Sequence, residues 1–217
     1  IFALAVFGFG IKAGVMPFHV WLPGAHAAAP THVSAVMSGV VLKMGIYGLV
    51  RILSLFDSIP YAFGTTLLVL GIVSSILGVA LALVQHDLKR LLAYHSIENI
   101  GIIVCGLGIG FLAQAHGATR IALLGFAGAL LHVWNHSLFK ALLFLSAGSA
   151  IHATHTREID RMGGLARRMP WTAVAFLTGA IAICGLPPLN GFVSEWIVYV
   201  SAFTGASTPA TDWNWLL

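Results

Sequence analysis

The sequence predicts an all-α protein, a polytopic bundle of about six transmembrane helices. Three observations support this fold class: 59% of the 217 residues are hydrophobic, only 8% are charged, and the mean hydropathy is +0.94. A soluble domain carries about 25% charged residues, so this chain has too few charges to cover a surface that faces water. The composition therefore excludes a soluble enzyme, a disordered chain and a nucleic-acid-binding protein.

Six apolar segments are long enough to cross a membrane, because a spanning helix needs about 20 mostly apolar residues. In chain order they cover residues 1–19, 31–54, 63–84, 91–112, 121–150 and 171–202. Short polar loops separate them, without strand-like alternation or heptad repeats. A soluble helical core is the alternative interpretation, and six such runs with so few charges disfavour it.

Basic residues are concentrated in alternate loops. The loops after the third and fifth segments contain Lys89, Arg90, Arg157, Arg161, Arg167 and Arg168. The loops on the opposite side contain only Arg51 and Arg120. The positive-inside rule therefore predicts that the first group is cytoplasmic. The net charge of +4 is accounted for by loops at a membrane surface, without an anionic partner.

Prolines interrupt two of the six segments. Pro17 and Pro23 follow the first apolar run, and Pro187 and Pro188 lie within the sixth. Proline removes a backbone donor and clashes with the preceding helical turn, so both segments are expected to be discontinuous helices. Broken helices in membranes often surround ion or substrate sites. Ordinary kinks, or helix ends near the interface, are the alternative.

Lys12, Lys43, Lys140 and Glu195 are charged residues that lie deep within the predicted spans. A charge at the centre of a membrane helix costs about 2.5–3.5 kcal/mol on insertion scales, so each should face polar groups or water. Lys43 follows Thr31 by 12 residues, which places it about 18 Å along the helix and near the bilayer centre. A permanently paired, structural lysine is the alternative interpretation.

The fifth segment carries a polar stripe of His132, His136 and Lys140. Their i, i+4, i+8 spacing places all three on one helix face. Imidazole accepts and donates protons near neutral pH, so the stripe is a candidate proton relay. Packing by satisfied polar side chains is the alternative. A zinc site is disfavoured because Val133 stands where a zincin helix has Glu.

Three further residues are possible relay members. His95 and Glu98 share one face of the fourth helix, where Glu98 either passes protons or pairs with a basic neighbour. His19, His26 and His32 flank the first broken segment. They could admit protons there, and the alternative, that they have no role in proton transfer, is equally expected. Glu195, beyond the second break, is the candidate terminal proton acceptor.

The chain resembles the antiporter-like proton-translocating membrane subunits of respiratory complex I, membrane-bound hydrogenases and multisubunit sodium/proton antiporters. The stretches that carry the resemblance are KAGVMPFHVWLPGAHAAAPTHVSAVMSGVVLKMGIYGLVR, HDLKRLLAYHSIENIGII, HVWNHSLFKALLFLSAGSAIH and GLPPLNGFVSEW. The residues His95, Glu98 and Asn99 in AYHSIENIG are similar to the hydrogenase-4 and formate hydrogenlyase branch.

The resemblance implies which residues handle protons. It assigns this role to Lys12, Lys43, His132, His136, Lys140 and Glu195. In the family, the lysine that matches Lys12 works with a glutamate on an earlier helix. We therefore expect residues 1–217 to be a single partial translocation domain, a fragment of a larger antiporter-like fold, with a further apolar run beginning near Trp215.

The resemblance also implies where the protein works and with which partners. We expect a bacterial or archaeal cell membrane, other membrane subunits and a peripheral redox arm, either a hydrogenase or a dehydrogenase. Contact with membrane lipid is expected, nucleic acid is not, and no metal or cofactor ligands are expected in this chain. Three alternatives stay open: a sodium/proton antiporter subunit without a redox partner, a scaffold whose buried charges fix helix packing, and an intramembrane metallopeptidase.

Overall fold

The computed structural model describes residues 1–207 as an all-helical bundle. The apolar run expected near Trp215 lies outside these residues. The α-helices are α1 (Phe2–Ala13), α2 (Trp21–Ala28), α3 (Thr31–Val36), α4 (Leu42–Leu53), α5 (Tyr61–Leu83), α6 (Leu88–Ala115), α7 (Thr119–Thr154), α8 (Leu165–Arg168), α9 (Pro170–Ile183) and α10 (Asn190–Ser207). A π-helical turn (Met37–Val41) joins α3 to α4, and a 3₁₀ turn (Ile159–Arg161) precedes α8.

The prediction of six spans with two discontinuous helices is confirmed. Four continuous helical stretches are long and apolar enough to span a membrane: Thr31–Leu53, Tyr61–Leu83, Leu88–Ala115 and Thr119–Thr154. The first predicted span, residues 1–19, contains α1 and ends in the connection before α2, and the sixth is divided into α9 and α10. Irregular backbone therefore occurs at both predicted breaks.

The first break comes earlier than predicted. Helix α1 ends at Ala13, not near His19, because Gly14 adopts a left-handed conformation with φ 77°. The Gly14 N–H donates to the carbonyls of Gly10 and Ile11 and closes the helix end. Pro17 lies in the turn that follows, and His19 belongs to this connection rather than to a helix.

The second break lies where the prolines predict it. Helix α9 ends at Ile183, Gly185 has φ 61°, and Pro187 and Pro188 lie in the connection before α10. The N–H of Leu186 donates to the carbonyl of Ile181 at 3.3 Å, which satisfies one of the last acceptors of α9.

The π-helical turn was not predicted. In the stretch from Thr31 to Leu53, the N–H of Leu42 donates to the carbonyl of Met37, five residues earlier. One turn therefore holds an extra residue, which changes the direction in which the following side chains project. Such turns are frequent at functional sites, and Lys43 lies two residues after the end of this one.

Helix α6 forms the centre of the bundle, and 83% of its most apolar stretch is buried. Glycines allow α5 to approach it closely. A Cβ atom on Gly101 would lie only 2.6 Å from the backbone nitrogen of Ser75, and one on Gly71 would lie 2.6 Å from that of Cys105. Close backbone approach through small residues is typical of membrane helix pairs.

The loops after the first, third and fifth spans meet on one side of the bundle, as the alternation of loops predicts. The N–H of Leu88 donates to the carbonyl of Arg157 at 3.0 Å, and the N–H of Ile159 donates to that of His86 at 2.9 Å. The ammonium of Lys89 donates to the carbonyl of Ala29 at 2.7 Å, at the end of α2. We call this side of the bundle the basic side.

Candidate functional site

The polar stripe of α7 is buried. His132, His136 and Lys140 each have no solvent-exposed surface. The two imidazole rings lie nearly parallel, with centroids 6.2 Å apart and an interplanar angle of 10°. The spacing therefore stacks titratable groups along one face of α7, as the sequence predicts.

His132 connects three helices. Its Nε2 lies 3.1 Å from Oδ1 of Asn99 on α6, and its Nδ1 lies 2.9 Å from Oγ of Ser194 on α10. The amide nitrogen of Asn99 donates to the carbonyl of His95, which leaves Oδ1 as the acceptor toward His132. Nε2 therefore carries a proton and donates to Asn99, while Nδ1 faces the Ser194 hydroxyl.

The start of α10 is held against α7 by Asn135. The amide nitrogen of Asn135 donates to the carbonyl of Asn190 at 2.7 Å and to Oγ of Ser194 at 3.1 Å. Glu195 follows Ser194 directly and is half-buried. Its carboxylate packs against the break, because a Cβ atom on Gly185 would lie 2.5 Å from its Oε2. The second break thus has an acid packed against it, one residue after the Ser194 that contacts His132.

A series of polar groups lies between the two buried lysines. The amine of Lys43 donates to the carbonyl of Ser38, whose hydroxyl lies 2.8 Å from that of Ser96 on α6. The Ser96 hydroxyl donates to the carbonyl of Leu92 at 3.0 Å. The amine of Lys140 donates to the same carbonyl at 2.5 Å. Polar atoms therefore connect α4, α6 and α7 through the protein interior.

His26 is a buried titratable residue that the sequence prediction did not place in the site. It has no exposed surface, and its ring stacks on Phe144 at a centroid distance of 4.7 Å. The Lys140 amine lies 5.7 Å from the centroid of the same phenyl ring. Neither ring nitrogen of His26 has a hydrogen-bond partner among residues 1–207, and the same holds for His136.

The other predicted residues lie at the margin of this cluster. Lys12 is exposed on α1, although its neighbour Ala13 packs against α4. His19 is half-buried, with its ring 6.4 Å from that of Tyr94. His95 and Glu98 form a partly buried pair, with Nδ1 2.6 Å from Oε2.

The structure thus brings together Lys43, Lys140 and both histidines of α7, and Glu195 follows the Ser194 that contacts His132. It leaves Lys12 apart from them. His26 could have been identified from the sequence because it follows Pro17 and so belongs to the half-helix after the first break. Asn99, Asn135 and Ser194 carried no sequence signal, because their role comes from contacts between helices.

A comparison with known families matches residues 1–210 of the chain to the family described as NADH:quinone oxidoreductase/Mrp antiporter, transmembrane. The chain belongs to this family. Together with its apolar helices, membership identifies it as a multi-pass integral membrane protein of the type found in bacterial membrane complexes.

Two curated relatives from Escherichia coli (strain K12) are similar over nearly the whole chain. Hydrogenase-4 component B is 48% identical over 207 residues, which is 94% of this chain and 31% of the relative. Formate hydrogenlyase subunit 3 is 46% identical over 210 residues, 97% of this chain and 34% of the relative. The chain thus spans about a third of the length of these two relatives.

A solved structure of the Mrp complex from Dietzia sp. DQ12-45-1b contains the same fold. It superposes with a TM-score of 0.83 at 30% identity, over 94% of this chain and 36% of the matched chain. The resemblance inferred from the sequence motifs, to antiporter-like membrane subunits and most closely to the hydrogenase-4 and formate hydrogenlyase branch, is therefore confirmed. The buried lysine–histidine cluster lies within residues 1–210, which match the family.

Proposed function

We propose that the chain is part of a proton-translocating membrane subunit of a redox-driven complex of the hydrogenase-4 or formate hydrogenlyase type. The observation that carries the proposal is that two buried lysines, Lys43 and Lys140, lie at the two ends of one group of polar atoms, formed by Ser38, Ser96 and the Leu92 carbonyl. A buried lysine can gain and lose a proton when the charges around it change. Two such lysines on different helices, joined by polar atoms, support proton movement between helices.

The proposed route runs along the membrane plane. Protons pass between Lys43, Lys140 and the histidines of α7, and reach Glu195 through His132 and Ser194, whose side chains lie 2.9 Å apart. His136 has no protein partner for either ring nitrogen among the described residues. Buried polar atoms of this kind are usually satisfied by internal water, so water at His136 is part of the proposal.

The remaining candidates have supporting roles in this proposal. Lys12 is exposed and is assigned to pair with an acid supplied by a helix that the described residues do not contain. His19 takes up protons near the first break, since one of its ring nitrogens is buried without a partner in residues 1–207. The His95–Glu98 pair is proposed as a side branch of the route.

The driving reaction is proposed to occur in other subunits. The names of the two Escherichia coli relatives refer to a hydrogenase and a formate hydrogenlyase, which supports a peripheral redox arm as the partner. Other membrane subunits of the same complex complete the assembly. The role of this chain is then to hold and move protons while electrons pass through the partner.

A sodium/proton antiporter subunit is the second candidate function. The superposition on the Mrp complex, with a TM-score of 0.83, supports it directly. The polar cluster would then exchange protons for a cation without electron transfer. Sodium dependence distinguishes the two: the first proposal requires proton movement coupled to electron flow in sodium-free buffer.

The decisive experiment measures proton uptake by inverted membrane vesicles that contain the complete complex, driven by its electron donor. Lys43→Ala should abolish uptake while the complex still assembles, because the variant removes the amine that binds the Ser38 carbonyl. Arg120→Ala, which changes an exposed residue at the start of α7, is the matched control and should leave uptake unchanged. If the Lys43→Ala complex forms in lower yield but each assembled complex takes up protons at the unaltered rate, Lys43 would instead have a scaffold role.

A further inference from the structure

An apolar groove lies on the basic side of the bundle, apart from the lysine–histidine cluster. It encloses about 510 Å³ between α7, α9 and the segment that joins them. Ser146 and Ala150 of α7 form one wall, and Ala173 and Phe176 of α9 form the other. Its volume is within the range of about 300–1,000 Å³ that is typical of small-molecule sites.

The groove has the length of one membrane leaflet. Its lining residues extend along α9 from Met169 to Ala180, which is about 16 Å at 1.5 Å per residue. The hydrocarbon core of a bilayer is about 30 Å thick, so the groove covers about half of that thickness. Apart from the hydroxyls of Ser146 and Thr172, its lining side chains are apolar. These dimensions match one acyl chain lying along α9.

The end of the groove near α8 is basic. Arg167 and Arg168 lie in the chain between two lining residues, Ala166 and Met169, and both are exposed. The other two arginines of the segment are neutralised, since Arg157 pairs with Asp87 and Arg161 pairs with Glu158. In the part of the chain that the structure describes, neither Arg167 nor Arg168 forms an ion pair. Two uncompensated positive charges therefore remain at this end.

An exposed tryptophan lies near the same end of the groove. Trp171 is 85% exposed and follows the two arginines closely at the start of α9. Tryptophan is enriched where hydrocarbon meets the headgroups, because its ring is apolar and its N–H is polar. The arginines consequently lie at the height where lipid phosphates are found, and the groove descends from that height into the membrane.

We propose that this groove is a binding site for an anionic phospholipid, with an acyl chain along α9 and the phosphate on Arg167 and Arg168. Charge complementarity selects the ligand: basic pockets between membrane helices favour anionic headgroups, whereas a zwitterionic lipid would leave the two charges uncompensated. The bound lipid fills the space between α7 and α9.

The test uses the complete complex and two phospholipid probes, phosphatidylglycerol and phosphatidylcholine, each with a photoactivatable diazirine on an acyl chain. We expect the anionic probe to label peptides containing residues 146–150 and 172–177 several-fold more than the zwitterionic probe. R167Q combined with R168Q should reduce that labelling to the zwitterionic level. R51Q combined with R120Q removes two exposed arginines elsewhere and should leave it unchanged.

A second variant tests the groove itself. Ala173→Trp adds a bulky side chain to its wall and should suppress labelling by both probes. Equal labelling by the two probes in the unaltered complex would overturn the proposal. Absence of labelling would also overturn it, and is the result expected if a protein segment covers the groove. If the arginine variant does not assemble, a competition experiment on the unaltered complex replaces it. Unlabelled phosphatidylglycerol must then suppress labelling by the anionic probe more strongly than unlabelled phosphatidylcholine does.

Discussion

The hydroxyl oxygens of Ser38 and Ser96 lie 2.8 Å apart, between the carbonyl groups that bind the two buried lysines. Ser38 belongs to the π-helical turn and Ser96 to the central helix α6. This contact is the point at which the polar atoms around Lys43 meet those around Lys140.

Ser96→Ala should slow proton uptake by the complete complex several-fold while assembly is retained. The substitution removes one hydroxyl and its two hydrogen bonds, and a membrane interhelical hydrogen bond contributes only about 0.6 kcal/mol on average. Uptake coupled to electron flow in inverted vesicles is the measurement. Ser149→Ala, at an exposed serine of α7, is the control. Unchanged uptake with Ser96→Ala would remove the serine contact from the route.

Lys140→Met should abolish uptake and leave the bundle intact. Methionine has a similar length and is apolar, and replacing a buried charge with an apolar group of similar volume is often neutral for stability. The Leu92 carbonyl keeps the Ser96 hydroxyl as a donor. Uptake and the yield of complex are measured together, with Arg90→Met at the exposed start of α6 as the control. Uptake at the unaltered rate would contradict the role of Lys140.

Asn99→Leu should lower the thermal stability of the complex, because it leaves the Nε2–H of His132 buried without its acceptor. An unsatisfied buried donor costs about 1–3 kcal/mol. Combining Asn99→Leu with His132→Phe should recover most of that loss, since both partners are then apolar. Thermal unfolding in detergent is the measurement. If the double variant is no more stable than Asn99→Leu, the hydrogen bond between the two side chains is not the cause.

Gly185→Ala should reduce proton uptake by displacing the carboxylate of Glu195. A methyl group at this position would lie 2.5 Å from Oε2, and φ 61° adds backbone strain. Gly117 is a matched control, because its φ is 72° and nothing lies within 4 Å of a Cβ atom there. Gly117→Ala therefore introduces similar strain without the clash. Equal uptake by the two variants would contradict the placement of Glu195 in the route.

The sequence predicts the spans and breaks well because those features are local. Apolar length identifies α5, α6 and α7, and the adjacent prolines identify the break before α10. The end of α1 is predicted less well, since the left-handed Gly14 ends that helix before Pro17 is reached. The π-helical turn has no such marker: its sequence, MSGVV, also suits an α-helix, and packing between helices decides the difference.

The candidate site is predictable only in part for the same reason. The spacing of His132, His136 and Lys140 gives a shared face directly. The partners Asn99 and Ser194 lie 33 and 62 residues from His132 in the chain, so no local pattern relates them to it. The exposure of Lys12 likewise depends on which helices pack beside α1.

The carboxyl end of α2 is fastened by two cations from other elements. Lys89 of α6 donates to the carbonyl of Ala29, and Arg157, after α7, donates to that of Ala27. Cations at this end also complement the helix dipole. The half-helix that carries His26 is thus clamped to α6 and to the loop after α7, while the bend at Gly14 separates it from α1. Through these two contacts the loop after α7 is mechanically connected to the helix whose His26 ring stacks on Phe144.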